Sequence, residues 1–278
     1  MKQAIVIDSS REIPVELATN ADIYPLGYSL QDSKGQIYRE RIHTHELNTA
    51  ELVSIVNKDK KAQIFAPNIK DFVELYTFLA EEYDSLISIH SSQFTPAVFE
   101  HALVAKKMVS GIIIDVVDSQ TIGPAAGLFT AELVGFLPIA KSINDIRKKA
   151  IELNKYIHSF TVTDCNNLQQ VSEVKGSSSK GFSLSFKNYN LYHYFHTNWE
   201  LVSNNKNSRT LFKDIHGKMN LVHKTKEIKQ IYYSSSTSFN KDTKDVLRRI
   251  RKVNKTETNQ SLISRYLFGR DYSSIAFL

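Results

Sequence analysis

Four short stretches carry residue types that could hold an anion. They are "DSSRE" (residues 8–12), "APN" (66–68), "HSSQFTP" (90–96) and "DSQTIGP" (118–124). Each follows an apolar run and leads into apolar residues at helical spacing, so each reads as strand, polar elbow, helix. In open parallel sheets, ligands bind beyond the carboxyl ends of the strands, where such elbows gather. Free backbone N–H groups and Ser or Thr hydroxyls at a helix start suit a carboxylate or a phosphate. Thr95 and Pro96 read as a helix start, with Thr as N-cap and Pro at the first helical position. The same elbows also read as plain helix caps. No Walker A or GxGxxG loop accompanies them.

Other reactive types give less. Nine histidines include the close pairs His43/His45 and His193/His196. Neither pair has HExxH form or a carboxylate at ligand spacing, so no metal and no cofactor is expected. Cys165 is the single cysteine. It excludes a disulfide framework and reads as a small core residue rather than a nucleophile. No Ser/His/Asp pattern of a hydrolase is visible in the sequence, and an enzyme is not expected. The segment "KDTKDVLRRIRKV" places Arg248, Arg249, Arg251 and Lys252 opposite Val246, Leu247, Ile250 and Val253 on a helix. That is a solvated basic face, or a surface for a protein or an anionic membrane. The aromatic run at Tyr192, Tyr194, Phe195 and Trp199 reads as core packing rather than base stacking.

These residues need elements to position them. In the first half, "QAIVID", "AQIFAP", "SLISIH" and "GIIIDVVDS" are near-continuous apolar strands. Between them lie the helical patterns "DFVELYTFLAEEY", "AVFEHALVAKKMV" and "AAGLFTAELVGFL", with "ELNTAELVSIVNK" earlier. "ADIYPLGYSL" reads as one extended segment, and "IYRERI" follows the turn "DSKG". Apolar strands alternating with helices predict a parallel sheet covered on both faces. Ser142, with Asp145 three residues on, opens the helix "INDIRKKAIELNKY". The second half mixes the strand patterns "SFTVTD", "SLSF", "LYHYFHT", "ELVSN", "IKQIYYSSS" and "SSIAFL" with the helices "NNLQQVSEV" and "RTLFKDIHGKMNLV". The fold class is α/β: a mainly parallel sheet in residues 1–155, a mixed sheet in 156–278, and a ligand cleft between the two domains.

Composition sets the setting. The chain has 278 residues, 42% of them hydrophobic and 23% charged, which allows a sizeable core. The N-terminus is too short and polar for a signal peptide, and no run of about 18 apolar residues exists. A cytoplasmic protein without an integral membrane segment is expected. Residues 156–278 carry 19 basic and 9 acidic side chains, and residues 1–155 carry 16 and 20. The basic second half suits an anionic partner. Nucleic acid is not the expected one; it would bring steep salt dependence.

The order of elbows resembles the DegV family, the fatty-acid-binding subunits that work with a bacterial fatty acid kinase. The opening "IVIDSSREIP" is similar to the family's strand, Asp-Ser elbow and Leu-Pro, with Asp8, Ser9 and Pro14 in place. "YPLGYSL" and "GQIY" resemble its "PL-V" segment and Gly-x-x-Tyr turn, through Pro25, Leu26, Gly35 and Tyr38. "SIHSSQFTPAVFEHA" resembles "hiSSkLSGTyqsA", and "VVDSQTIGPAAG" carries the "ViDS" elbow at Asp118 and Ser119. "NSRTLFKDI" and "GRDYSSIAFL" resemble the family's "vRt" and terminal "GPGtlgiaf" segments. The resemblance covers nearly the whole chain.

The resemblance implies a monomeric two-domain carrier that buries a fatty acid or related lipid and presents it to a kinase, which forms the acyl phosphate. It implies a carboxylate held by a Thr, a Ser and a His. The family Thr falls on Ile64 here and the His on Leu267. The Ser falls on Thr95; an alternative alignment puts Ser, Gly and Thr on Pro96, Ala97 and Val98. The family's Gly-Gly-Arg loop is replaced by "KGSSSKG". Thr95, Ser92, Ser9 and Ser119 are therefore the expected polar ligand residues, with Ile64 and Leu267 lining the same place. Losing two donors disfavours a buried carboxylate unless Arg270, Tyr272 or backbone N–H groups replace them. Arg209 matches the Arg through which family members meet their kinase. The competing reading is a degenerate member that binds no lipid and acts through its basic half.

Overall fold

The computed structural model describes residues 2–20, 22–40, 49–59, 61–164, 189–225, 227–251, 253–258, 260–268 and 272–278. Three sheets organise them. The first is four-stranded and wholly parallel. Its order is β2 (Ile23–Leu26), β1 (Gln3–Asp8), β6 (Ser85–His90), β7 (Ile113–Asp118). A small antiparallel sheet joins β4 (Ile37–Arg39), β3 (Ser29–Gln31) and β5 (Gln63–Phe65). The six-stranded sheet runs β10 (Asn198–Lys206), β9 (Tyr189–Phe195), β8 (His158–Thr163), β13 (Tyr272–Phe277), β11 (Gln230–Ser235), β12 (Asn254–Glu257). It is antiparallel except for β11 with β12.

The sequence pattern explains the layers. Along β1, β6 and β7 both faces are apolar, because both are covered. Ala4, Val6, Leu86 and Ile114 face α3 (Ile69–Ala80) and α4 (Pro96–Met108), which contribute Phe72, Tyr76, Leu79, Val98, Ala102 and Ala105. Ile5, Ile7, Ile87, Ile89 and Val117 face α5 (Gly123–Phe136) and α6 (Ile143–Tyr156). α5 also meets β8, β11 and β13, so it lies between the parallel sheet and the six-stranded one. That is why "GPAAGLF" is buried throughout rather than amphipathic. The far side of the six-stranded sheet packs under α7 (Ser208–Thr225) and α8 (Asn240–Arg249).

Several expectations shift. The extended "ADIYPLGYSL" is two strands in two sheets, broken at Gly27 and Tyr28. A Cβ on Gly27 would lie 1.9 Å from the Glu40 carbonyl oxygen, so only glycine passes there. "AQIFAP" joins the small antiparallel sheet rather than the parallel one. The basic helix ends at Arg249, with Ile250 extended, so Arg251 and Val253 are not on its faces. Two short helices, α1 (Val15–Asn20) and α9 (Leu262–Phe268), and the edge strand β12 carry no signal in the sequence reading. α2 (Thr49–Lys58) matches its pattern. The boundary expected at 155/156 falls at the end of α6, just before β8. Among the described residues, no helix is long and apolar enough to cross a membrane.

Candidate functional site

The carboxyl ends of β1, β6 and β7 converge, and their elbows are tied together. The β1 elbow is stitched to the start of α5 by Gly123 N–H to Ser10 C=O (2.9 Å) and Glu12 N–H to Gly123 C=O (3.3 Å). Gly123 has φ +61°, the left-handed region that lets the chain turn into the helix. The β7 elbow hangs from the β6 end through Ser119 N–H to His90 C=O at 2.8 Å. These bonds leave little slack, and Asp8, Ser9, Ser10, Arg11, Glu12, His90, Ser91, Thr95, Ser119 and Thr121 are all buried.

The four residues expected at the ligand, Thr95, Ser92 and the backbone around Ser9 and Ser119, lie on neighbouring elbows, and each of their hydroxyl protons is committed. Ser9 Oγ donates to Glu40 Oε2. Ser92, half-buried, donates to Asp118 Oδ2 at 2.5 Å. Thr95 Oγ1 donates to Ser91 C=O at 3.1 Å, and Ser119 Oγ donates to His90 C=O at 3.1 Å. Thr95 occupies the N-cap position of α4 without capping it through its side chain. Ser142, by contrast, caps α6 as its spacing predicts, accepting from Asp145 N–H. Ile64 and Leu267 belong to one apolar cluster with Tyr28, Phe94, Tyr194 and Trp199. Ile64 is half-buried on β5 beside Leu30, and Leu267 is buried on α9.

The sequence reading missed four charged or titratable groups in the same place. His90 is fully buried at the end of β6. Its Nδ1 lies 2.7 Å from Asp8 Oδ2 and its Nε2 lies 2.7 Å from Ser88 Oγ, which accepts from Tyr76 OH at 2.6 Å. The donor sequence Tyr76, Ser88, His90, Asp8 is self-consistent with a neutral imidazole protonated on Nδ1. Burial, aided by the Arg11 charge, pushes the imidazole pKa down despite the hydrogen bond and charge of Asp8. Burial pushes the Asp8 carboxyl up, but His90 and Arg11 outweigh it and hold it below the usual range. Contrary to the sequence reading, a Ser–His–Asp connection exists. Its serine is not placed as a hydrolase nucleophile is. Ser88 is 0% exposed in a central strand paired on both sides, so its backbone N–H is not free for an oxyanion.

Glu12 and Glu40 hold the start of α9. Glu12 Oε1 accepts from Tyr272 OH (2.7 Å) and Ser261 N–H (3.2 Å), and Glu40 Oε1 accepts from Leu262 N–H (2.8 Å). Burial raises the Glu12 carboxyl, although hydrogen bonds from Ser234, Tyr272, Ser264 and Ser261 pull it back. Tyr272, expected as a substitute donor, thus gives its proton to Glu12. Arg11 is 2% exposed; its Nε donates to Ile89 C=O (2.8 Å) and its Nη2 to Ser119 Oγ (2.6 Å). For His90, Arg11 and Glu12 the available signal was charge placed where the flanking pattern demands burial, in "DSSRE" and in "SLISIH"; Glu40, in "IYRERI", had none.

Other expected residues sit elsewhere. Arg209 is exposed in the first turn of α7. His193 stacks on Phe160 and meets His158 at 3.1 Å, a packing role. His43, His45, Cys165, "KGSSSKG" and Arg270 lie outside the described residues.

Comparisons with known proteins agree on the fold. A family model described as "Uncharacterised protein, DegV family" matches residues 2–266. Protein DegV of Bacillus subtilis is 30% identical over 187 residues, covering 66% of this chain and 64% of that protein. A DegV domain-containing protein of Staphylococcus aureus is 28% identical over 182 residues, covering 65% and 62%. These matches therefore span less than two thirds of the curated relatives' own length. Among solved structures, DegV, a fatty acid binding protein from Bacillus subtilis, superposes with a TM-score of 0.81 at 20% identity, covering 100% of this chain and 99% of that one. The fatty acid kinase B3 protein of Streptococcus pneumoniae, loaded with linoleic acid, gives 0.77 at 14% identity, covering 100% and 99%.

Proposed function

This chain belongs to the DegV family, and we propose that it is a carrier that holds a fatty acid between lobes formed by residues 1–155 and 156–278. The observation that carries this reading is a single apolar cluster shared by both lobes. Leu30, Phe72, Tyr76, Phe94 and Val98 come from the first, and Tyr192, Tyr194, Trp199, Ile263 and Leu267 from the second. That cluster abuts the polar elbows, so an acyl chain among these side chains would have its head at Thr95, Ser92, Ser9 and Ser119. Apolar surface of this kind favours burying methylenes, at about 0.8 kcal/mol for each CH₂. Several proteins of this fold are described as fatty acid binding. The carrier would present its lipid to a kinase, with the exposed Arg209 as part of the docking surface, and would not itself catalyse the transfer.

One observation favours a second reading, an interaction protein that holds no lipid and works through its basic half. The hydroxyl protons of Ser9, Ser92, Thr95 and Ser119 are already committed within the protein. Trp199 separates the two. It is the only tryptophan, and it packs against Phe94 and Tyr194 inside the shared cluster. Titrating delipidated protein with palmitate should change Trp199 emission and saturate at one lipid per chain. An emission spectrum that stays constant through the titration would favour the second reading.

A further inference from the structure

Donor accounting at the elbows points to a group outside the expected set. A buried carboxylate requires donors or a positive charge. Ile64 and Leu267 offer neither, and Ser9, Ser92, Thr95 and Ser119 direct their protons to protein oxygens. Four buried atoms on or beside these elbows have no full hydrogen bond among the described residues: Arg11 Nη1, Tyr28 OH, Ser10 Oγ and Thr121 Oγ1. Arg11 and Tyr28 are 2% and 3% exposed. Tyr28 lies beside the Thr95 hydroxyl, where the Asp8 and Glu40 carboxylates act on it more strongly than the Arg11 guanidinium does.

Arg11 is the unusual member. A guanidinium out of water is costly unless an anion or a full set of acceptors meets it. Its two bonds go to neutral oxygens, the Ile89 carbonyl and the Ser119 hydroxyl. No described carboxylate reaches it within 4.0 Å. Asp8 and Asp118 are near enough to feel its charge. Both are turned to other donors: Asp8 to His90 and Ser10 N–H, Asp118 to Ser92 and Gln120 N–H.

We propose that Arg11 is the anchor for the lipid's carboxylate, with Tyr28 as a second donor, so that the protein selects an ionised fatty acid over a neutral ester or alcohol. The inference rests on the carrier reading and gives that site its specificity. Arg11 replaces the two donors lost at Ile64 and Leu267 with one charge-assisted donor, which is stronger than a neutral hydrogen bond. Asp8, Asp118 and Glu40 oppose a further carboxylate at this place. Coulomb energy falls with distance, so the anion must sit in direct contact with Nη1 for the gain from Arg11 to offset the carboxylates farther away.

The test compares palmitate, methyl palmitate and hexadecanol, titrated into the wild type, Arg11→Lys and Arg11→Met. The wild type should prefer palmitate over its methyl ester by about tenfold to a hundredfold. Arg11→Met should bring the three lipids to near parity by weakening palmitate alone, and Arg11→Lys should fall between. If the wild type binds palmitate and methyl palmitate equally, Arg11 is not the anchor and the carrier reading survives. If it binds none of the three, both fall. Should Arg11→Met fail to fold, [1-13C]palmitate bound to the wild type decides. Its carboxyl should titrate below the pH at which the free acid does, and titration at or above that pH overturns the proposal.

Discussion

Replacing Asp8 with alanine should lower the unfolding free energy by about 1–3 kcal/mol for each of the two buried donors it strands. Asp8 is 0% exposed and accepts from His90 Nδ1 (2.7 Å) and Ser10 N–H (3.0 Å). Alanine leaves both donors unsatisfied and removes a negative charge that favours the buried Arg11 guanidinium. Asp8→Asn should lose less, because its amide can donate to Nδ1 while the Ser88 and Tyr76 hydroxyls rotate to reverse the donor order. Urea unfolding at neutral pH measures both. Equal losses for the two variants would contradict a hydrogen-bonded relay.

The same groups set the pH response. The folded pKa values of His90 and Asp8 lie below their ordinary values of 6.5 and 3.8. The unfolded chain takes these protons first, so stability is lost as pH falls below about 6.5, and again below about 3.8, at up to about 1.4 kcal/mol per pH unit for each group. Glu12 has the opposite sign. Its folded pKa lies above 4.5, so its contribution is present at lower pH and is lost as pH rises through the folded value. Glu12 therefore masks part of the His90 loss on acidification. In Glu12→Gln, the loss between about pH 6.5 and 4.5 should be steeper than in the wild type.

The second large effect is steric. Gly127→Ala should destabilise by about 1–3 kcal/mol or more, as overpacking of a filled interior does. A Cβ at Gly127 would stand 2.1 Å from the Glu12 carbonyl oxygen and 2.9 Å from its carbon. Both are backbone atoms, so no side chain can swing aside. Because α5 fills the layer between the two large sheets, relief requires moving that helix or the elbow that bears Arg11 and Glu12. Thermal unfolding reads the loss. An alanine variant as stable as the wild type would contradict a close approach of α5 to the elbow.

Much of the first half was legible because its signals are strong and local. "QAIVID" and "SLISIH" are β1 and β6 residue for residue. The Pro-led starts of α4 and α5 lie within two residues of expectation. Small elements were not legible. α9 has 7 residues and takes its place from Glu12 and Glu40, which lie more than 200 positions earlier. No local pattern can announce such a partner. The elbows were legible as places in the fold, and their hydrogen bonding was not. Hydroxyl-rich elbows correctly marked where β1, β6 and β7 end. Which protons remain free depends on Glu40, Asp118 and main-chain carbonyls brought in by the fold. Arg11 lies inside the quoted elbow "DSSRE", but its burial depends on the Ile89 carbonyl and the Ser119 hydroxyl, which the fold brings to it.

The most direct measurement is the mass of the native protein as purified from bacterial cells, followed by organic extraction and identification of what is released. The carrier reading predicts one fatty acid per chain, retained through purification or taken up on incubation with free fatty acids. A chain that is empty as isolated and stays empty after that incubation would contradict it, and would move the protein's function to the basic surface of its second half.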